Sequence, residues 1–194
     1  ACAPFRRLHV CDKNLEQTTH NLLADVFQAA KFEGQSITGY YAQYEEQYPS
    51  FGSTMCTMLA RSFADIGDII RGKDLFIGNN KRDKLEKNLK KYFKKIYDDV
   101  TNGKNGAEAK EHYKKDKETG NYYQLREDWW YANRKMVWIA MTCGAGTSAQ
   151  YFRPTCGSGN NAKRAPSQCR CTTHDVPTYF DYVPQYLRWF EEWA

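Results

Sequence analysis

Seven cysteines, Cys2, Cys11, Cys56, Cys143, Cys156, Cys169 and Cys171, carry the most reactive chemistry in this 194-residue chain. So many in so short a chain point to disulfides made in an oxidising compartment rather than to buried free thiols. Four of the seven crowd between positions 143 and 171 with four glycines, two prolines and no helical period. That stretch reads as a long loop held by covalent staples. The pairing stays open, because an odd count leaves one sulfur over. Cys169 and Cys171 stand too close in sequence to bond easily to each other, so each is expected to reach a different partner. Cys169-x-Cys171-x-x-His174 offers three zinc ligands in principle, but the spacing is tighter than a zinc knuckle and disulfides compete for the same sulfurs. No metal and no cofactor are expected.

The second chemistry is charge. Residues 71–117 hold 15 basic and 8 acidic side chains, net +7, which leaves the rest of the chain at −2 of its overall +5. Within that stretch Lys81, Arg82, Lys84, Lys87, Lys90, Lys91, Lys94 and Lys95 surround a single apolar stripe. A basic helix of this kind attracts polyanions through summed electrostatics, and sulfated or sialylated glycans are the expected partners. A merely solvated helix face is the competing reading. Nucleic acid is disfavoured by the cysteine signal for an outside location and by the lack of any nucleic-acid motif. Catalysis finds no support: the four histidines are scattered, no HExxH, GxSxG or P-loop pattern occurs, and Glu191–Glu192 and Glu127–Asp128 are adjacent pairs that point to different helix faces.

Helices must position these groups. Leu22, Leu23, Val26, Phe27 and Ala30 recur at helical spacing behind Thr18 and Thr19 as caps, with Gly34 expected as the stop. Tyr40, Tyr41, Tyr44 and Tyr48 mark a shorter piece ended by Pro49. Leu59, Phe63, Ile66 and Ile70 define a clear helix that Ser53 or Thr54 would cap and Gly72 would close. Leu85, Leu89, Phe93, Ile96 and Val100 stripe the basic helix over 82–100. A polar helix or loop follows to Gly120, then a core helix over 122–141. Val183, Tyr186, Leu187 and Phe190 form a last amphipathic helix, with Pro184 in its first turn. Period-two alternation is nowhere sustained, so the fold is all-α, a helical bundle with long disulfide-stapled loops.

A hydrophobic fraction of 41% with 15% aromatic residues supplies a sizeable core and excludes disorder and low-complexity arrays. The longest apolar run, Met136 to Met141, falls far short of the roughly 20 residues that span a bilayer. The opening ACAPFRRLHVC has no apolar core of signal-peptide length and reads as part of something longer.

Five blocks carry a resemblance: ACAPFRRLHVC (1–11), LLADVFQAAKFEG (22–34), LARSFADIGDIIRGKDLF (59–76), REDWWYANR (126–134) and PTYFDYVPQYLRWFEEWA (177–194). They resemble the Duffy-binding-like domain of malaria parasites, and within it the alpha class at the head of the Plasmodium falciparum erythrocyte membrane protein 1 family. The resemblance implies an extracellular adhesion domain on the infected erythrocyte. Its implied partners are host erythrocyte or endothelial receptors, glycans in rosetting, antibodies and neighbouring domains of one long chain. The alternative it implies is a structural head domain that positions a neighbouring receptor-binding domain and shows variable loops to the immune system. It further implies a first subdomain over 1–50, a second over 51–194, and a third that is absent. Phe63, Ile66, Ile70, Trp129, Trp130, Tyr186, Trp189 and Phe190 would then pack the bundle. Similar sequences read DVC where this one reads Asp25-Val26-Phe27, so no disulfide map carries over.

Overall fold

Apolar residues spaced three and four apart can share one buried face only if the backbone is helical, and the chain satisfies that demand seven times among the described residues. The computed structural model describes residues 22–47, 55–76, 80–151, 153–157 and 159–193. Its helices are α1 (Leu22–Gln47), α2 (Met55–Arg71), α3 (Asn80–Asn102), α4 (Gly106–His112), α5 (Lys114–Thr119), α6 (Tyr123–Met141) and α7 (Gln185–Trp193). Among these residues no strand forms, only isolated bridges at Cys156–Lys163 and Ser167–Arg170. The fold is all-α, and no described helix is long and apolar enough to cross a membrane.

The centre is built from α1, α2 and α6. Phe63 on α2 lies with its ring centroid 5.1 Å from Trp130 and 5.2 Å from Trp138, both on α6. Val26, Ala30 and Ile37 of α1 and Leu59, Ile66 and Ile70 of α2 close the cluster around them. α1 does not stop at Gly34 but runs on through Gly39 and takes in the tyrosines expected to form a separate piece. Gly34 is there for contact: a Cβ on it would sit 1.9 Å from the Met141 carbonyl oxygen, so only glycine lets α1 approach the end of α6. Gly72, at φ 70, does close α2 as its position suggested. The expected caps Thr18, Thr19, Ser53 and Thr54, together with Tyr48 and Pro49, lie outside the described residues.

Two disulfides fasten the loop after α6. Cys56 at the start of α2 bonds Cys169, 113 residues away, and Cys156 bonds Cys171, 15 residues away. Cys169 and Cys171 thus reach different partners, as their spacing required. Cys143 is a free, exposed thiol in the turn Thr142–Gly144. Cys2 and Cys11 lie outside the described residues.

Helix α7 departs from its expected orientation. Trp189 is buried, but Tyr186 and Phe190 face solvent, and Gln185 and Arg188 occupy the inner side instead. The cause is an ionic lock: the Arg188 guanidinium donates to Asp65 at 2.8 Å and to Asp68 at 2.6 Å, both on α2. Gln185 accepts from the Leu75 N–H and donates to Asp74 and Asp65. Of the remaining core expectations, Trp129 is half-buried against the cluster.

Burial lifts the Asp68 carboxyl to about 6, even though Arg188 and Arg71 both pull it down. A carboxyl raised above its unfolded value stabilises the fold fully at about pH 4 and below, and that contribution is lost as pH rises through 6. The Asp68→Asn variant lacks this dependence. Its deficit relative to the parent is therefore expected to shrink by on the order of 2 kcal/mol between pH 4 and pH 7. Urea unfolding at unit pH steps checks this, and a deficit that widens with pH would contradict it.

Candidate functional site

The lysines of α3 are placed by an apolar face that turns inward. Leu85, Leu89 and Phe93 are fully or nearly fully buried, and Tyr92 and Tyr97 flank them. Phe93 meets Trp129 edge-on at 6.1 Å, and Tyr97 packs on Tyr122 at 5.8 Å. Two polar contacts fix the helix further. Arg126, wholly buried on α6, donates to both carboxylate oxygens of Glu86 at 2.8 and 3.0 Å. That fork-to-fork geometry sets the rotation of α3 about its axis. The Tyr92 hydroxyl donates to Asp25 on α1 at 3.0 Å.

With that face inward, helical geometry puts Lys84, Lys87, Lys91, Lys94 and Lys95 within one arc of about 100° on the outer side, over a length of about 16 Å. All five are exposed, and Lys90 stands half-buried at the edge. Among the described residues, the side chains of Lys87, Lys90, Lys91, Lys94 and Lys95 make no ion pair and no hydrogen bond, and Lys84 has a partner. Elsewhere the lysines are engaged: Lys73 pairs with Glu127 and Lys135 with Asp175. The unpaired ammonium groups form a row of like charges whose mutual repulsion an anionic ligand would relieve. Lys81 and Arg82 fall in the first turn of α3, and their side chains lie outside the described residues. Beyond the end of α3, Lys104, Lys110, Lys114, Lys115 and Lys117 are also exposed, so positive charge continues onto α4 and α5.

The competing site chemistry is not assembled. Cys169 and Cys171 are both consumed in disulfides, and His174 is exposed in a positive-φ turn. Among the described residues no group of three His, Cys, Asp or Glu side chains could hold a metal. The positioning pair Glu86–Arg126 was missed in the sequence. Its signal was present: Leu125, Arg126, Trp130, Arg134 and Val137 share one buried face of α6, so two arginines sit where an apolar residue would be read.

A family model described as Duffy binding domain matches residues 1–188. No curated protein matches the chain. The NTS-DBL1(alpha-1) domain of Plasmodium falciparum membrane protein 1 (PfEMP1) from the varO strain is 44% identical, with a TM-score of 0.77; the match covers 100% of this chain and 43% of that one. The varO double domain NTS-DBL1-alpha and CIDR-gamma is also 44% identical, with a TM-score of 0.80, and 27% of its chain is covered. A PfEMP1 DBLb domain solved bound to human ICAM-1 is 30% identical with a TM-score of 0.65, covering 97% of this chain and 38% of that chain. The chain therefore spans less than half the length of these solved relatives.

Proposed function

The chain belongs to the Duffy binding domain family, and on that premise we propose that it is an adhesion module of a variant antigen on the infected erythrocyte. Its ligand is a sulfated or sialylated host-cell glycan held by the outer face of α3. The observation that carries this reading is the row of unpaired ammonium groups, Lys87, Lys91, Lys94 and Lys95, with Lys90 at its edge. Sulfate and carboxylate groups repeat along such glycans, and a row of cations about 16 Å long meets several of them at once. The ICAM-1 complex of the DBLb relative supports host-receptor binding as the general role, with rosetting and endothelial adhesion as its cellular forms. Antibodies are the further expected partners of so exposed a surface.

Retention of the oxidised chain on immobilised heparin across a salt gradient tests the reading. The parent is expected to elute above the physiological ionic strength of about 0.15 M. The variant Lys90→Glu, Lys91→Glu, Lys94→Glu, Lys95→Glu is expected to pass straight through, with unchanged circular dichroism. Flow-through of both proteins would remove the glycan assignment. It would favour the second reading, a head domain that positions its neighbour, for which the double-domain relative is the supporting observation.

A further inference from the structure

Helix α7 is amphipathic in the wrong sense for a chain that ends its packing there. Its inner side carries Gln185, Arg188 and Trp189, whereas Tyr186 (53% exposed), Leu187 (47%) and Phe190 (70%) form one outward stripe at positions i, i+1 and i+4. The helix has no freedom to roll and hide that stripe. Rolling would break both ion pairs from Arg188 to Asp65 and Asp68 and would unseat Gln185 from Asp74 and the Leu75 N–H. Buried carboxylates left without their guanidinium are costly, so exposure of the apolar side is enforced from beneath.

We propose that this stripe is the seat of an apolar helical segment from the same polypeptide, drawn from the part of the domain that the solved relatives carry beyond the matched region. The inference rests on family membership and is independent of the glycan reading. Two observations select that occupant. More than half of the length of the varO domain lies outside the match, so such a segment exists in the relatives. The stripe is also too small for anything else: three side chains offer on the order of 300 Å². A stable complex between separate molecules buries roughly 800 Å² on each partner. A segment on the same chain meets the stripe at millimolar effective concentration and without the entropy loss of association, so a small apolar contact suffices.

Hydroxyl-radical footprinting compares the 194-residue chain with the same chain extended through the length its solved relatives have. Tyr186, Leu187 and Phe190 are expected to be labelled about fivefold less in the extended polypeptide, the ratio of their present exposure to that of buried side chains. Tyr40 and Tyr131, exposed elsewhere, should be labelled equally in both. Equal labelling of the stripe in both proteins overturns the proposal. So does protection of the stripe in the 194-residue chain that grows with concentration alongside a dimer in sedimentation, since the occupant is then a second copy. The double variant Leu187→Ser, Phe190→Ser adds a stability readout. It should leave the thermal midpoint of the 194-residue chain in place and lower that of the extended polypeptide by several degrees. An unchanged midpoint in the extended polypeptide also overturns the proposal.

Discussion

Replacing Cys56 and Cys169 together with alanine is expected to cost about 5 kcal/mol, against about 3 kcal/mol for Cys156 and Cys171. The difference follows from the loops closed, 113 and 15 residues. A cross-link removes more freedom from the unfolded chain the longer the loop it closes. Location adds to the larger figure, because Cys56 and Cys169 are buried in the core cluster. There the Cys169 carbonyl accepts from the Trp138 indole at 3.1 Å, and its N–H donates to the Ala149 carbonyl at 2.9 Å. Loosening this pair therefore frees the base of the loop from α2 and from α6. Since domains of this size are stable by only about 5–15 kcal/mol, the first variant is expected to populate unfolded chain measurably at 37 °C. Both cysteines must be changed at once, because a lone thiol left behind could exchange with the free Cys143. Urea unfolding of the two double variants checks the order, and a larger loss for the short-loop pair would refute the loop-length account.

What could be read in advance divides along physical lines. Helices whose apolar residues face a shared centre were legible, because spacing alone forces Phe63, Ile66 and Ile70 onto one side of α2. The lysine face of α3 was legible for the same reason, as the complement of its buried stripe. Gly34 was misread because glycine permits both a stop and a close approach, and which applies depends on Met141, more than a hundred residues away. Helix α7 was turned the wrong way because apolar spacing gives the direction of amphipathicity but not what each side meets. Only when α2 brings Asp65 and Asp68 beneath it does the arginine side become the inner one. The disulfide pairing was unreadable for a related reason, since it depends on the distance between loops that carry no periodic signal. Cation rows are simpler, since they need only be outside and unpaired. The Glu86–Arg126 fork that fixes their rotation needed the three-dimensional arrangement.

The buried charges give the other large effect. Asp181, 1% exposed in the turn before α7, accepts from the Trp130 indole at 2.9 Å and from Arg134 at 2.7 and 2.8 Å. Its backbone carbonyl accepts from Arg71. Arg134 in turn lies under the rings of Tyr179 and Tyr182 and beside Phe63, at 5.3, 5.4 and 5.7 Å. The carboxylate is thus the only anion hydrogen-bonded to Arg134 among the described residues, and no water can replace it in so closed a site. Asp181→Ala is expected to cost about 3–5 kcal/mol, the penalty of an uncompensated buried charge. Arg134→Met in the same chain should return a large part of that loss, because it removes the charge rather than leaving it unpaired. Cation–π contacts alone, worth about 0.5–2 kcal/mol each, are too weak to hold the guanidinium in place by themselves. A double-mutant cycle by urea unfolding measures the coupling directly. Additive losses for the two substitutions would mean that Arg134 is held by its aromatic neighbours and the Thr178 carbonyl rather than by Asp181.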